Sequence, residues 1–193
     1  MQTTLIDVLR AHHAISNEDA QVIGSYFKPH SFKEGDVLLE SGQVARHLFF
    51  ICDGVLRFMH QNEKGNEVTY FFLKDDQFCT VLNSFNDNVP SLSSIVAASN
   101  SDVLSISKTS LQALYAQLPW LKNIIEHIQQ QTMVNKILLQ NSYQGLDSTE
   151  RYENFLKRQP EIAERVQLAD IASYLGITPQ SLSRIRKNMR VAE

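Results

Sequence analysis

The residues best suited to chemistry lie near the C-terminus, where polar and basic side chains recur along one predicted helix. This helix is expected to begin at Pro179, because a threonine cap followed by proline at the first position is a strong helix start. Glutamine and arginine at the N-terminal part of a helix can form paired hydrogen bonds with adenine or guanine in the major groove. The residues placed to contact bases or phosphates are Thr178, Gln180, Ser181, Ser183, Arg184, Arg186, Lys187 and Arg190.

Directly upstream, the sequence has the spacing of a helix-turn-helix, in which two helices meet steeply through a short turn. Ala172 is small enough to lie where the helices cross, and Gly176 supplies the backbone freedom that ends the first helix. The shared core of the two helices is predicted to be Ile171, Leu175, Ile177, Leu182 and Ile185. An ordinary αα-hairpin also favours glycine at its turn, but the cap and the nearby arginines favour double-stranded DNA as the partner.

The distribution of charge agrees with a local contact to a polyanion. The net charge of −3 argues against a protein that is basic all over. Residues 151–193 nevertheless contain eight Lys and Arg against five Asp and Glu, whereas residues 1–150 contain 10 and 16. Because lysine and arginine also suit the C-terminal end of any helix, charge alone leaves the DNA-binding and the purely structural interpretation open.

A long helix with a narrow apolar stripe is predicted to begin at Pro119. Apolar residues recur there at spacings of three and four, with Gln, Glu, Lys and His between them. A narrow stripe that includes a polar asparagine is typical of a coiled-coil seam and predicts a homodimer. The alternative is that the stripe packs on the protein's own β-domain. The predicted seam consists of Leu121, Ile124, Ile125, Ile128, Thr132, Asn135, Leu138 and Leu139.

Between about residues 30 and 107, short apolar runs alternate with turns such as Asp53-Gly54 and Lys64-Gly65-Asn66, which suit tight hairpins. This spacing predicts an all-β sandwich or barrel rather than alternating strands and helices. The predicted fold class is α+β, with an N-terminal β jelly roll and flanking helices, a long helix and a C-terminal helix-turn-helix. The predicted domains are an effector domain at 1–118, a dimerisation helix at 119–143 and a DNA-binding domain at 144–193.

The chain as a whole resembles the cyclic-AMP receptor protein/fumarate-nitrate regulator family of bacterial transcription factors. Residues 32–42 look like the first hairpin of that family's cyclic-nucleotide-binding-type jelly roll, and residues 48–56 like its aromatic strand and following turn. The helix from Pro119 is similar to the family's dimer helix, and residues 168–187 to its winged-helix-like DNA-binding unit. The resemblance implies a homodimer that binds DNA, contacts RNA polymerase and responds to a small-molecule effector.

Two positions depart from the family's cyclic-nucleotide site. Nucleotide binders have Gly-Glu where this sequence has Cys79-Thr80, and Arg-Ser or Arg-Thr where it has approximately Ser91-Leu92. A buried phosphate without a facing cation carries a large desolvation penalty, so we predict no tight binding of cyclic AMP or cyclic GMP. The pocket then holds another small molecule or none. Its predicted lining is Phe78, Cys79, Thr80, Val81, Ser91, Leu92 and Ser93.

No metal site and no cofactor are identified from the sequence. The family's oxygen-sensing branch uses four cysteines for an iron–sulfur cluster, whereas this chain has Cys52, expected in the core, and Cys79, expected in the pocket region. Haem needs axial ligands, and the six histidines are too ordinary a number to indicate them. Family members usually add a β-hairpin wing after the recognition helix, and this wing is expected to be missing because the sequence ends at Glu193.

The remaining function classes find little support in the sequence. No stretch approaches the roughly 18 apolar residues of a membrane span, and the N-terminus lacks a signal-peptide pattern, so a cytoplasmic protein is expected. No P-loop, G-x-S-x-G, H-E-x-x-H or G-x-G-x-x-G motif indicates an enzyme, and Asp75-Asp76 is interpreted as a solvated loop pair. Two alternatives stay open: a sensory module that does not bind DNA, and a regulator with an inert pocket that binds DNA constitutively.

Overall fold

The computed structural model describes residues 4–62 and 65–191, with side chains as far as Met189. An N-terminal helical pair precedes two sheets, and a run of helices follows them. In chain order the elements are α1 (Leu5–Arg10), α2 (Asn17–Tyr26), β1 (Lys28–Phe32), β2 (Val37–Leu39), β3 (His47–Asp53), β4 (Val55–Gln61), β5 (Glu67–Lys74), β6 (Phe78–Cys79), α3 (Leu82–Asp87), β7 (Ser94–Ala97), β8 (Ser101–Ser107), α4 (Lys108–Gln117), α5 (Pro119–Asn141), α6 (Ser148–Arg158), α7 (Pro160–Arg165), α8 (Leu168–Leu175) and α9 (Pro179–Val191).

Two four-stranded antiparallel sheets form a β-roll from residues 28–107. One sheet has the strand order β1-β8-β3-β6 and the other has the order β2-β7-β4-β5. The predicted hairpin is present between β4 and β5, whose residues pair from Val55–Lys74 to Gln61–Glu67. The Asp53-Gly54 turn is not a hairpin, because β3 and β4 lie in different sheets. Gly54 has φ +121°, and a Cβ there would overlap Ser101, so the corner between the sheets requires glycine.

Apolar side chains on alternate strand positions fill two cores of the roll. The core between the sheets contains Phe49, Ile51, Leu56, Phe58, Phe71, Leu73, Cys79, Ile95, Ala97 and Val103. The opposite face of β3 places Leu48 and Phe50 against a second core, to which the helices α1, α2, α4 and the first half of α5 contribute. The α+β fold class predicted from the sequence is confirmed.

A third core joins the C-terminal helices to the roll. Val55, Phe72 and Ala98 of the roll are buried in one cluster with residues of the helices α6–α9. The helical members of this cluster are Tyr152, Phe155, Ile162, Val166, Ile171, Ala172, Leu175 and Leu182. The helices therefore pack directly on the second sheet instead of being connected to it by the chain alone.

Candidate nucleic-acid interface and effector cavity

The helices α8 and α9 meet through a turn that begins at Gly176. Gly176 has φ +67°, and the next amide, that of Ile177, donates to the carbonyl of Ala172 at 3.0 Å. A left-handed glycine followed by this hydrogen bond is a common way to end a helix. Ala172 is fully buried where the helices cross, and Leu182 of α9 is fully buried against the same core. The turn and the core predicted for a helix-turn-helix are both present.

Arg151 on α6 forms hydrogen bonds that hold this turn in place. Its Nη1 donates to the carbonyl of Leu175 at 2.9 Å, and its Nε donates to the carbonyl of Leu146 at 3.1 Å. The carbonyls at the end of a helix have no partner within the helix, so Arg151 satisfies one that the turn leaves open. The predicted capping box that starts α6 is also present, since Asp147 and Glu150 cap each other's backbone amides.

The outer face of α9 is polar, basic and exposed. Thr178 caps the helix, and its Oγ1 accepts from the backbone N–H of Ser181 at 3.1 Å. Gln180, Arg184 and Lys187 lie three to four residues apart, which places them along one side of the helix. Among the described residues, no carboxylate pairs with Arg184, Arg186 or Lys187.

The other predicted contact residues of this region differ in exposure. Ser181 and Ser183 are exposed like Gln180 and Arg184, whereas Arg186 is half-buried. The side chain of Arg190 lies outside the described residues. The helix α9 continues as far as Val191, three residues beyond the predicted end at about Asn188.

The first helix of the helix-turn-helix is held against the roll by polar contacts. Asp170 of α8 forms an ion pair with Arg57 of β4, and both side chains are 18% exposed. The hydroxyl of Ser173 accepts from the backbone N–H of Thr69 on β5 at 3.0 Å. Burial raises the pKa of Asp170 and outweighs the opposing effect of Arg57. The orientation of α8 is therefore set by partners on two adjacent strands.

Arg165 at the end of α7 makes a second connection to the roll. Its guanidinium donates to Asp53 and to Asp75, each at 2.6 Å. Burial alone lowers the pKa of Arg165, but the hydrogen bonds and charges of Asp75 and Asp53 outweigh it and raise the pKa. Asp75 also accepts from the backbone N–H of Gly54 at 2.7 Å, so the interpretation of this residue as a solvated loop acid is wrong.

A cavity of about 320 Å³ lies between the second sheet, the segment after β6 and the helix α5. Aromatic rings of Phe58, Tyr70, Phe71 and Phe78 form much of its wall. The remaining lining residues are Leu73, Thr80, Val81, Leu82, Asn83, Gln129, Thr132, Met133 and Lys136. Of the seven residues predicted for the pocket, Phe78, Thr80 and Val81 line this cavity.

The other four predicted pocket residues lie elsewhere. Cys79 is fully buried in the core between the sheets, and burial raises the pKa of its thiol. Ser91 is buried and its hydroxyl donates to the carbonyl of Ser93 at 2.6 Å, while Leu92 is 80% exposed. Ser93 lies behind the lining, and its hydroxyl accepts a hydrogen bond from that of the cavity residue Tyr70 at 3.0 Å. Placing Cys79, Ser91, Leu92 and Ser93 in the lining was wrong, because neighbouring strand residues face opposite sides and the 91–93 segment turns away.

Lys136 brings the one positive charge to this cavity among the described lining residues. Its Nζ lies 4.5 Å from the ring centroid of Tyr70 and 5.0 Å from that of Phe71. Burial lowers the pKa of the Lys136 amine, and no described carboxylate forms an ion pair with it. The aromatic faces therefore compensate part of the desolvation of this cation.

The helix α5 has two halves with different surroundings. Leu121, Ile125 and Ile128 are buried in the protein's own core, and Ile124 packs on that core. The first half of the predicted seam therefore has little surface left for a second chain, and assigning Leu121 and Ile125 to a dimer interface was wrong. The sequence alternative, in which the stripe packs on the β-domain, describes this half correctly.

The second half of α5 exposes apolar side chains. Ile137 and Leu138 are 54% and 60% exposed, and Met133 and Val134 are also exposed. Of the predicted seam residues here, Leu138 and Asn135 are exposed, whereas Thr132 and Leu139 are half-buried. Val134, Ile137 and Leu138 follow the spacing of one helix face, so the exposed apolar surface is a continuous stripe.

The roll is similar in sequence to a known domain. The sequence model of the cyclic nucleotide-binding domain matches residues 29–118. The match begins at the second residue of β1 and ends just after α4, so it spans the strands of the roll. No curated relative matches the sequence.

The roll and the helices that follow it match the folds of solved structures. FixK2 from Bradyrhizobium japonicum superposes with a TM-score of 0.72 at 13% identity, over 86% of this chain and 85% of that one. The c-di-GMP-responsive global regulator CLP from Xanthomonas campestris gives 0.70 at 14% identity, over 92% and 93%. The Thermus thermophilus catabolite activator protein gives 0.57 at 17% identity, over 96% and 87%. The resemblance to the cyclic-AMP receptor protein/fumarate-nitrate regulator family is confirmed for the fold.

Within residues 4–62 and 65–191, no group of three or more His, Cys, Asp or Glu side chains has the arrangement of a metal site. No helix in the same ranges has the length and apolar character needed to cross a membrane.

Sequence reasoning missed the contacts between the roll and the C-terminal helices. Arg57 and Asp170 are 113 residues apart in the chain, and Arg165 and Asp75 are 90 residues apart. It also missed Lys136, although its place on α5, about two turns after the core residue Ile128, was a usable signal. A lysine at the apolar edge of an amphipathic helix indicates a cation near an apolar surface.

Proposed function

We propose that this protein is a homodimeric transcription regulator that binds a near-palindromic DNA site through α9 of each chain. The observation that carries the proposal is the exposed face of α9, on which Gln180, Arg184 and Lys187 have no described acidic partner. Gln180 and Arg184 are placed for base contacts, while Arg186, Lys187 and Arg190 are better placed for phosphates.

The proposed dimer forms through the exposed second half of α5. Val134, Ile137 and Leu138 are an apolar stripe that a second copy, related by a two-fold axis, would cover. Two recognition helices about 34 Å apart then meet successive major grooves. In this proposal residues 1–118 are the effector domain, 119–143 the dimerisation helix and 144–193 the DNA-binding domain, and the dimer contacts RNA polymerase in the cytoplasm.

The proposed effector is a small molecule other than a cyclic nucleotide. The absence of arginine at the sequence positions around 79–80 and 91–92 supports this, because a nucleotide phosphate would lack the cation that the family's nucleotide binders place there. The cavity of about 320 Å³ next to α5 is large enough for a small ligand. A ligand there would contact the helix through which the two chains pair, and could so change the spacing of the recognition helices.

The proposal is tested by selection from a randomised duplex DNA pool with the full chain. Enrichment of a near-palindrome with half-sites one helical turn apart is the expected result. On the selected site, Arg184→Ala is expected to weaken binding about 5- to 150-fold, the equivalent of one bidentate base contact. Arg10→Ala, which removes an exposed arginine on α1, is the matched control and should leave binding unchanged.

Two results would count against this function. No enrichment, with or without a metabolite extract from bacterial cells, would favour the sensory module that does not bind DNA. Equal losses for the variants at Arg184 and Arg10 would point to unspecific attraction by positive charge instead of recognition by α9. Repeating the selection at two salt concentrations separates these contributions, since phosphate contacts weaken steeply with salt.

A further inference from the structure

The cavity next to α5 has one charged group and aromatic walls among its described lining residues. Lys136 supplies the charge, and Phe58, Tyr70, Phe71 and Phe78 supply the rings. No described carboxylate neutralises Lys136, whose Nζ instead faces the rings of Tyr70 and Phe71. An apolar site with one uncompensated cation selects ligands by charge as well as by shape.

We propose that this cavity binds a small monocarboxylate with a flat apolar body, whose carboxylate pairs with Lys136. The flat body would stack among the aromatic side chains, which favour planar partners. A single negative charge matches the single lysine, whereas a phosphate monoester or a cyclic dinucleotide would bring a charge with no partner into an apolar site. The inference deepens the proposed function by naming the class of effector, and its regulatory meaning rests on that function.

Polar groups on α5 suit this assignment. Gln129, Met133 and Lys136 lie on one side of the helix at successive turns and all line the cavity. The amide of Gln129 forms no hydrogen bond with a described residue, so it is available to the second carboxylate oxygen. The hydroxyls of Thr80 and Thr132, by contrast, already donate to the carbonyls of His47 at 2.9 Å and Ile128 at 3.0 Å.

Burial of Lys136 supports the same assignment. Its pKa is lowered because the amine is removed from water without an acidic partner. A bound carboxylate would supply that partner and favour the charged form of the amine. Lys136 also lines a second cavity of about 410 Å³ that lies between β5, α5 and the α6–α7 segment. A carboxylate paired with Lys136 would therefore lie close to the boundary between the roll and the C-terminal helices.

The test uses the full chain and a defined set of probes. These are benzoate, phenylacetate, 3-phenylpropanoate and indole-3-acetate, each paired with its uncharged primary amide, together with phenyl phosphate and cyclic AMP. Binding is measured by calorimetric titration after a first ranking by thermal shift. At least one carboxylate is expected to bind about tenfold or more tightly than its amide, and more tightly than phenyl phosphate or cyclic AMP.

Variants identify the residue that recognises the charge. Lys136→Gln should abolish the preference for the acid over the amide, while Lys136→Arg should keep most of it. Lys122→Gln, which removes an exposed lysine on the first turns of the same helix, is the control and should keep the full preference. Thermal unfolding of each variant without ligand checks that the fold is intact.

Three outcomes overturn the inference: no carboxylate of the set binds, an acid and its amide bind equally, or Lys136→Gln keeps the preference. The DNA selection is run on the same preparations without ligand. Loss of carboxylate binding with intact DNA binding refutes only this inference. Intact carboxylate binding without any selected DNA refutes the proposed function and leaves the ligand class standing.

Discussion

The carboxylate of Asp170 on α8 pairs with the guanidinium of Arg57 on β4, across the boundary between the C-terminal helices and the roll. The hydrogen bonding of Arg57 is incomplete, because its Nε is buried and has no hydrogen-bond partner among the described residues. The described partners of this guanidinium are the carboxylate of Asp170 and, at 3.4 Å, the hydroxyl of Thr69. Removing either partner alone leaves the other charge in a poorly solvated place.

A double-mutant cycle tests this pair. Asp170→Ala is expected to lower the free energy of unfolding by about 2–3 kcal/mol, because Arg57 keeps its charge and loses its partner. Replacing both residues with apolar ones, Arg57→Met with Asp170→Leu, should cost much less than the sum of the two single changes. Urea unfolding measures all four proteins. Additive losses would show that the two side chains do not interact energetically.

The turn between α8 and α9 allows a comparison of two glycines. Gly176→Ala should lower the free energy of unfolding by about 1 kcal/mol or more, because φ +67° is unfavourable for a residue with a Cβ. Gly24→Ala in the interior of α2 is the control, since no atom lies within 4 Å of the added Cβ and the glycine has no positive φ. That variant should be more stable by about 0.5–1 kcal/mol. Equal effects at both positions would contradict the role assigned to the turn.

The exposed stripe on α5 predicts the oligomeric state. Light scattering should give twice the chain mass of 22.0 kDa for the unmodified protein. Ile137→Asp should raise the dissociation constant of the dimer at least about 100-fold, because a charge would be buried in an apolar contact on both chains. Asn123→Asp, which adds the same charge at an exposed polar position of α5, should leave the mass unchanged. A monomer at micromolar concentration would rule out this interface.

Lys136 predicts a pH dependence of stability. Its pKa in the folded protein lies below the value of 10.5 expected for an unfolded lysine. Between these two values the unfolded chain binds more protons, so the contribution of Lys136 to the free energy of unfolding rises with pH. The difference in unfolding free energy between the unmodified protein and Lys136→Met should therefore change with pH in the alkaline range.

Urea unfolding of the two proteins at several pH values between neutrality and about 9.5 measures this difference, the upper limit staying below the tyrosine range. Taking the difference also removes contributions that both proteins share, including those of Tyr70, Lys74 and Glu161 around the same helix. Lys136→Met should be the more stable protein at neutral pH, and its advantage should shrink as pH rises. A constant difference would mean that the amine keeps its ordinary pKa.

Local signals were enough to predict the helix-turn-helix and the roll. The glycine turn, the threonine cap before Pro179 and the capping box at Asp147 each depend on residues within a few positions of one another. Such contacts are fixed by the backbone conformation of a short segment, so residue type and spacing determine them. The strands were recognisable because short apolar runs with turns between them are typical of β-structure.

Relationships between distant segments could not be predicted in the same way. An apolar stripe shows that one side of α5 is covered, but not whether Leu121 and Leu138 are covered by the same partner. The two halves differ because the buried core that α5 shares with α1, α2 and α4 ends at Ile128, whereas Val134, Ile137 and Leu138 beyond it are exposed. Likewise, nothing near Asp75 in the sequence indicates Arg165, since an ion pair between loops depends on the completed packing of both.

The position of Cys79 illustrates an error that the sequence could have prevented. Consecutive side chains of a strand face opposite sides, so Phe78 and Cys79 could not both face one cavity. The sequence analysis predicted that consecutive residues line the cavity. In the structure Phe78 and Thr80 line it, whereas Cys79 between them lies in the core between the sheets.

The cluster that joins Val55, Phe72 and Ala98 to the C-terminal helices has a consequence for how the protein comes apart. Because the two regions share one set of buried side chains, neither can melt without exposing the apolar surface of the other. Heating should produce a single cooperative transition, in which the calorimetric and the van't Hoff enthalpies agree. Damage to the roll would then also dismantle α8 and α9, so that no helix-turn-helix outlasts the domain attached to it.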